Sequence, residues 1–273
     1  MHDALDTHTL SLPASITRLV VLGDPHGDVI GLDEVLRRER RADTAFVSVG
    51  DNVGYADGRL SSELCGLLED QGIPSVRGNH EAWVRDGMLK LVSDGPPQLS
   101  ERAQAWLAKL PRRIKVQAAA LDGLRVSVVH AVGEWSYVNV RNARNLLDTE
   151  GSQLVFCGHT HRAAIYTLDA RGEVSSRRFE PTRKTPMTAD LDPRTRYVVD
   201  AGSLARPTRT RGGAALERST YAVLDLVARR VSLHALDKTP RIQALFRRLM
   251  QADLAEPYDG GSGGGGPAAP HLP

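Results

Sequence analysis

The chain carries a series of short motifs in which glycine accompanies histidine, aspartate or asparagine, namely GDPHGD, GDN, GNHE and GHTH, with a lone histidine between the last two. Nitrogen and oxygen donors without a thiolate suit divalent cations such as Mn²⁺, Fe²⁺ or Zn²⁺. One open site needs about three protein ligands, whereas this larger set fits two cations that share a carboxylate. The side chains concerned are Asp24, His26, Asp51, Asn79, His80, His130, His159 and His161.

Short apolar runs precede these motifs and have the β-branched, weakly alternating composition typical of strands covered on both faces. Amphipathic stretches with helical spacing lie between the runs, which predicts an α/β layered fold. Ligands bind beyond the carboxyl ends of the strands in such sheets, so we expect the motif side chains to converge there. The predicted strands are Arg18–Leu22, Ala45–Val49, Ile73–Val76, Leu124–Val129 and Leu154–Cys157, and the predicted helices are Leu32–Arg40, Leu60–Gln71, Glu101–Leu110 and Val140–Leu147.

The remaining segments suggest how the chain is divided. Two further strand-like runs, Tyr197–Asp200 and Tyr221–Val227, indicate a second sheet that completes a sandwich. Residues 171–196 are rich in Arg, Thr, Pro and Asp and predict an exposed hairpin or long loop. We expect an N-terminal extension over residues 1–17, one domain over 18–254, and a flexible Gly-rich tail over 255–273.

Composition narrows the class of protein. No apolar run in the 273 residues approaches the roughly 20 that a membrane-spanning helix needs, and the first residues do not have the pattern of a secretory signal. We therefore expect no membrane partner and a cytoplasmic location. The formal net charge of +2 lacks the basic excess of an electrostatic nucleic-acid binder, which argues against a polynucleotide partner. The oligomeric state is left open.

In their order along the chain, GDPHGD, GDNVG, GNHE, the strand-terminal His130 and GHTH resemble the signature of the calcineurin-like metallophosphoesterase superfamily. The resemblance implies a four-layer α/β/β/α sandwich in which two mixed sheets are flanked by helices. It also implies two divalent ions, with Mn²⁺ expected and Fe²⁺, Zn²⁺ or Ni²⁺ as alternatives. One ion would be held by Asp24, His26, Asp51 and His161, and the other by Asp51, Asn79, His130 and His159, with Asp51 bridging and His80 catalytic.

The later AGSLARPTR segment and the GHTH ending resemble the small bacterial and archaeal phosphodiesterase branch of the superfamily. The resemblance implies direct attack on a phosphodiester, and possible attack on a phosphomonoester, by a hydroxide held between the ions. The expected substrate is small and phosphorylated, with a nucleotide-like molecule as one option, and Arg206 and Arg209 are candidates to bind its phosphate. A protein phosphatase, a dinucleoside polyphosphate hydrolase and a catalytically silent scaffold for partner proteins are the alternatives.

Some positions depart from the family pattern. Others are compatible with more than one role. Pro25 stands between the first two ligands, and Gly54 and Tyr55 replace the Asp and Arg of the protein-phosphatase motif. Asp57 and Glu81 are the candidates for a partner of His80. The aromatic residues Trp83, Trp135 and Tyr137 flank the motifs and could either stack on a nucleobase or pack in the core.

Overall fold

The structure is a computed structural model that describes residues 6–56, 58–87, 99–180, 185–205 and 218–238. Its strands are β1 (Thr7–Leu12), β2 (Arg18–Leu22), β3 (Thr44–Ser48), β4 (Arg113–Ala118), β5 (Val126–Val129), β6 (Leu154–Cys157), β7 (Ala164–Leu168), β8 (Val174–Arg178), β9 (Met187–Asp190), β10 (Arg196–Asp200), β11 (Arg218–Asp225) and β12 (Arg230–Asp237). Its α-helices are α1 (Val29–Glu39), α2 (Gly58–Asp70), α3 (Asn79–Arg85), α4 (Glu101–Leu107) and α5 (Ala143–Glu150).

The strands form two mixed sheets. The seven-stranded sheet has the order β1-β4-β5-β6-β10-β7-β8, with β5, β6 and β10 running parallel. The five-stranded sheet has the order β3-β2-β11-β12-β9, with β2 and β3 parallel and the remaining pairs antiparallel. Each sheet therefore contains a parallel pair whose strands end at the same edge.

Alternation along the central strands explains why helices cover both sheets. In β2, Leu19 and Val21 belong to the core between the sheets, whereas Val20 and Leu22 pack with residues of α1 and α2. In β6, Phe156 faces the core between the sheets while its neighbours pack against α5. Strands buried on both faces need an apolar layer on each side. The result is the four-layer α/β/β/α sandwich that the sequence predicted.

Helix α1 positions the first motif. Asp28 caps its N-terminus by accepting a hydrogen bond from the Gly31 N–H at 2.8 Å, which satisfies one of the free donors of the first turn. Leu32, Val35 and Leu36 are buried at helical spacing on one face, and Arg37 lies in the last turn. The GDPHGD loop is therefore held between the buried end of β2 and a capped, well-packed helix.

Three expectations about the elements need correction. Residues 1–17 were expected to be an extension, but β1 pairs in parallel with β4 along its whole length because Leu10 and Leu12 pack on the core. The run 73–76 forms only one isolated bridge, from Ser75 to Ser48, since Pro74 has no N–H to donate to a ladder.

The third correction concerns the second sheet. Tyr197–Asp200 and Tyr221–Val227 were expected in one sheet, yet β10 lies inside the seven-stranded sheet and β11 inside the five-stranded one. Segment 171–196 contains β8, which forms a hairpin with β7, and also β9. The tail over residues 255–273 lies outside the described residues. In the described part of the chain, no helix is long and apolar enough to cross a membrane.

Candidate metal centre

The predicted ligands lie at one rim of the sandwich, where strands of both sheets end. Asp24 and His26 follow β2, and Asp51 follows β3. His130 follows β5 directly. His159 and His161 lie in the loop after β6, and Asn79 and His80 open α3. All eight predicted side chains except His159 and His161 are buried, and those two are partly buried. The structure therefore brings together every predicted residue of the motifs.

The backbone is unusual at four of these residues. His26, Asp51, His159 and His161 have φ values of 44°, 53°, 70° and 56°, which lie in the left-handed region. That region is uncommon for residues other than glycine, and such strain persists where the surrounding structure requires it, often at functional sites. The motif loops therefore hold their side chains in one arrangement at a cost in backbone energy.

The first group of donor atoms comes from Asp24, His26 and His161. Nε2 of His161 lies 3.3 Å from Oδ2 of Asp24 and 3.0 Å from Nε2 of His26. Nδ1 of His26 lies 2.9 Å from the carbonyl oxygen of Val53, which can only accept, so Nε2 presents its lone pair. Oδ1 of Asp24 is buried without a hydrogen-bond partner among the described residues.

The second group comes from Asp51, Asn79, His130 and His159. Nε2 of His130 lies 3.0 Å from Oδ1 of Asn79 and 3.3 Å from Oδ2 of Asp51. Nδ1 of His130 donates to the Val49 carbonyl at 2.8 Å, and Nε2 of His159 donates to the carbonyl of Trp135 at 2.9 Å. Metal-binding histidines typically use one nitrogen in this way and offer the other to the metal.

Asp51 lies between the two groups. Its Oδ2 is 3.3 Å from Nε2 of His130, 3.8 Å from Nε2 of His26 and 3.9 Å from Nε2 of His80. Its Oδ1 accepts the backbone N–H of His80 at 2.9 Å. One carboxylate oxygen of Asp51 is therefore shared by histidines of both groups.

Burial and mutual charge set the protonation of the cluster. Burial raises the pKa of Asp24 well above its usual value and lowers the pKa of His26 to about 3. Burial acts against the charged form of both Asp51 and His130, but their interaction lowers the pKa of Asp51 and raises that of His130 to about 10. The buried carboxylates thus favour a positive charge here, which a proton or a divalent cation can supply. The imidazole nitrogens, the carboxylates and the Asp24 oxygen that has no hydrogen bond fit divalent metals.

Glu81 is a structural clamp and not the partner of His80. Its carboxylate accepts backbone N–H groups from Gly78 at 2.6 Å, Asp51 at 2.9 Å and Asn52 at 2.6 Å. Burial, followed by repulsion from Asp51, raises its pKa to about 7. Asp57, the other candidate partner of His80, lies outside the described residues.

Gly54 explains one departure from the family pattern. A Cβ atom at this position would lie 2.0 Å from Nδ1 of His80, and φ is +94°. Glycine is required there because the imidazole ring occupies the space. Nδ1 of His80 is buried and has no hydrogen-bond partner among the described residues.

Asp200 was not among the predicted site residues, yet it lies at the end of β10 beside the histidine loop and is fully buried. Its carboxylate accepts a hydrogen bond from the Thr160 hydroxyl at 2.5 Å and from the Gly202 N–H at 2.9 Å. Burial raises its pKa to about 7. The neighbouring Ser203 hydroxyl donates to the Asp24 carbonyl at 2.9 Å. Its position directly before the AGS motif is the feature of the sequence that could have identified Asp200 as a site residue.

A cavity of about 570 Å³ opens onto the centre. Asp51, Asn79, His80, His159 and His161 are part of its lining. Its other lining residues include Tyr55, Trp83, Tyr137, Arg162 and Arg178. Trp135 is not among them but lines a separate cavity together with His130. Arg206 and Arg209, the predicted phosphate-binding residues, lie outside the described residues.

Residues 18–229 match the family model described as the calcineurin-like phosphoesterase superfamily domain. The chain belongs to this superfamily. No curated protein matches the chain in sequence. A metallophosphoesterase from Sphaerobacter thermophilus is 26% identical with a TM-score of 0.62, and the alignment covers 88% of this chain and 96% of that one.

Two further solved structures have lower similarity to this chain. A putative diadenosine tetraphosphatase is 19% identical with a TM-score of 0.47, covering 84% of this chain and 97% of the other. Vps29 complexed with Zn²⁺ from Entamoeba histolytica is 11% identical with a TM-score of 0.41, covering 81% and 99%. The superfamily binds divalent metals, and the His and Asp groups described above could hold them.

Proposed function

We propose that this protein is a phosphodiesterase that uses two divalent cations. The position of Asp51 carries the proposal, because its Oδ2 lies within 3.9 Å of ring nitrogens from both donor groups. Two-metal hydrolases place their ions about 3.5–4 Å apart, with a shared ligand between them. A centre built for one ion would not need donors on both sides of the same carboxylate.

The proposed ligands follow the two groups. One ion would be held by Asp24, His26, Asp51 and His161, and the other by Asp51, Asn79, His130 and His159. When bound, the ions would supply Lewis-acid chemistry and a water of lowered pKa. Mn²⁺ is the proposed metal, because carboxylate, amide and imidazole donors suit it.

His80 is the proposed catalytic residue. Its ring lines the cavity beside the centre, and burial lowers its pKa although Asp51 acts in the opposite direction. The imidazole is therefore neutral near pH 7, with one nitrogen that donates and one that accepts. In this state His80 can donate a hydrogen bond to an oxygen of the phosphate or of the leaving alcohol.

The preference for diesters is supported by the loop that contains Ser203. The AGSLARPTR segment resembles the small phosphodiesterase branch, and its Ser203 side chain is bonded to the backbone of Asp24. This contact connects the loop directly to the first motif. We expect phosphomonoesters to be weaker substrates of the same site.

The experiment is a paired assay on metal-stripped protein with added Mn²⁺. We expect hydrolysis of bis-p-nitrophenyl phosphate to exceed that of p-nitrophenyl phosphate, and no turnover without metal. Faster hydrolysis of the monoester would identify a phosphatase instead. Failure to hydrolyse either substrate with Mn²⁺, Fe²⁺, Zn²⁺ or Ni²⁺ would favour the scaffold alternative.

Asp51→Asn tests the shared ligand. We expect the variant to bind less than one ion per chain where the wild type binds two, measured by elemental analysis after dialysis. Asp122→Asn is the matched control, because Asp122 is exposed and paired only at the surface with Arg229. If Asp51→Asn retains two ions and full turnover, Asp51 is not a bridging ligand.

A further inference from the structure

Three exposed aromatic side chains line the cavity above the candidate metal centre. We call Tyr55, Trp83 and Tyr137 the aromatic rim. They are 48%, 38% and 63% exposed, and they are three of the five large hydrophobic side chains exposed in the described part of the chain. Exposed apolar side chains scattered singly need no explanation, but a group of them in one cavity marks a binding site.

All three rings contact histidines of the centre, and the Tyr55 ring lies 4.4 Å from the His26 ring. The Trp83 ring lies 4.8 Å from the His80 ring with an interplanar angle of 40°, and the Tyr137 ring lies 4.6 Å from the His159 ring at 36°. Each ring therefore has one side supported by the protein while part of its surface remains open. A flat group that stacks on either ring would lie next to a phosphate bound at the centre.

The charge and size of the cavity indicate which class of ligand would carry this flat group. Arg162 and Arg178 line the cavity, and neither guanidinium forms an ion pair with another described residue. Both are therefore available to attract an anionic ligand. The volume of about 570 Å³ lies within the 300–1,000 Å³ range typical of small-molecule sites. A nucleotide combines an aromatic base with negative charge in a molecule of this size.

We propose that the aromatic rim binds the base of a nucleotide whose phosphate lies at the metal centre. The substrates would then be phosphodiesters that carry a nucleoside. The inference rests on the proposed function for the position of the phosphate. Stacking of a base on an aromatic side chain tolerates any of the bases, so the rim selects nucleotides as a class and does not select one base.

The test compares two ligands that differ only in the base. Adenosine 5′-monophosphate and ribose 5-phosphate are titrated calorimetrically into the Mn²⁺-loaded protein, and the ratio of their dissociation constants measures the contribution of the base. We expect the adenosine nucleotide to bind the wild type about tenfold or more tightly than the sugar phosphate, in line with one base–aromatic stack. Tyr137→Leu and Trp83→Leu should each bring this ratio closer to one.

Matched variants distinguish two roles of each aromatic ring, stacking on a base and contact with the histidines of the centre. Tyr137→Phe and Trp83→Phe keep an aromatic ring and should keep most of the ratio. A wild-type ratio near one would overturn the inference, and so would leucine variants that weaken both ligands by the same factor. Chromatography of the mixture after each titration checks that neither monoester has been hydrolysed while it binds. Failure of the paired hydrolysis assay would therefore reject the phosphodiesterase proposal while the binding ratio still tests the aromatic rim.

Discussion

The carboxylate of Asp200 accepts a hydrogen bond from the hydroxyl of Thr160, the residue between His159 and His161. Asp200 is fully buried at the end of β10, and the same carboxylate binds the Gly202 N–H. It therefore connects the histidine loop to the AGS loop. Because both histidines have a left-handed backbone, this connection helps to maintain a strained turn.

Removing the Thr160 hydroxyl should loosen this turn. Thr160→Val keeps the shape of the side chain but leaves a buried carboxylate oxygen without its donor, which costs about 1–3 kcal/mol of stability. We expect a lower melting temperature in the metal-free protein and weaker Mn²⁺ binding. Thr167→Val is the control, since the Thr167 hydroxyl bonds only to Ser175 at the surface. Equal effects of the two variants would show that Thr160 does not position the histidines.

Replacing Glu81 should lower the stability of the folded protein. Glu81→Gln keeps the size but removes one accepting oxygen, so at least one of the N–H groups of Gly78, Asp51 and Asn52 loses its partner. Unfolding in urea should show a loss of about 1–3 kcal/mol. Glu69→Gln, which alters an exposed ion pair with Arg102, should change stability little. If Glu81→Gln is as stable as the wild type, the hydrogen bonds from these backbone N–H groups to Glu81 do not stabilise the fold.

The positions of most ligands could be predicted from sequence because they lie beside a glycine where an apolar run ends, whereas His130 and His161 have no adjacent glycine and were assigned from the order of the motifs. That pattern is local, and the convergence of strand ends follows from the layered fold. The contact between Asp200 and Thr160 is not local, because it depends on β10 lying next to β6 in the sheet. Asp200 was therefore assigned only to a strand, and the two late strands were wrongly placed in one sheet.

The roles of neighbouring residues were harder to predict than the ligands themselves. Glu81 follows His80 directly, which suggested a catalytic partner, but its side chain binds the backbone of the GDN loop instead. Side-chain direction at the start of a short helix depends on which N–H groups lack partners, and sequence does not show this. The same limit applied to Trp83 and Tyr137, whose exposure excludes packing in the core.

Metal binding should release a proton from His130. The pKa of His130 is raised to about 10 beside Asp51, so the metal-free protein holds this proton at pH 8, whereas coordination requires a free Nε2. Calorimetry in two buffers with different ionisation enthalpies should show release of close to one proton per chain at pH 8. His130→Asn should not show this release. Equal heats in both buffers for the wild type would mean that His130 is neutral before metal binds.

The same shift predicts how the stability of the metal-free protein varies with pH. A histidine whose pKa is raised on folding, from 6.5 to about 10, stabilises the fold fully below pH 6.5, and this contribution is lost as pH rises toward 10. The melting temperature of metal-free wild type should therefore fall across this range more steeply than that of His130→Asn. If the melting temperatures of the two proteins change in parallel with pH, the pKa of His130 is not raised in the metal-free protein.

Gly54→Ala should separate catalysis from metal binding. The added Cβ would lie 2.0 Å from Nδ1 of His80 and must displace that ring, which is proposed to act on substrate and not to bind metal. We therefore expect kcat for bis-p-nitrophenyl phosphate to fall about tenfold or more, in line with the loss of one acid–base group. Two bound ions should remain, as measured by elemental analysis.

Gly123→Ala controls for the strained backbone at Gly54. Gly123 also has a positive φ, +81°, but a Cβ there would meet no atom within 4 Å. Both variants should lose about 1–2 kcal/mol of stability from the left-handed conformation, whereas only Gly54→Ala should lose kcat. If Gly54→Ala loses its ions together with its activity, His80 belongs to the metal centre. The third His/Asp group, formed by His26, Asp51 and His80, would then be a true binding position and the ligand assignment would have to include it.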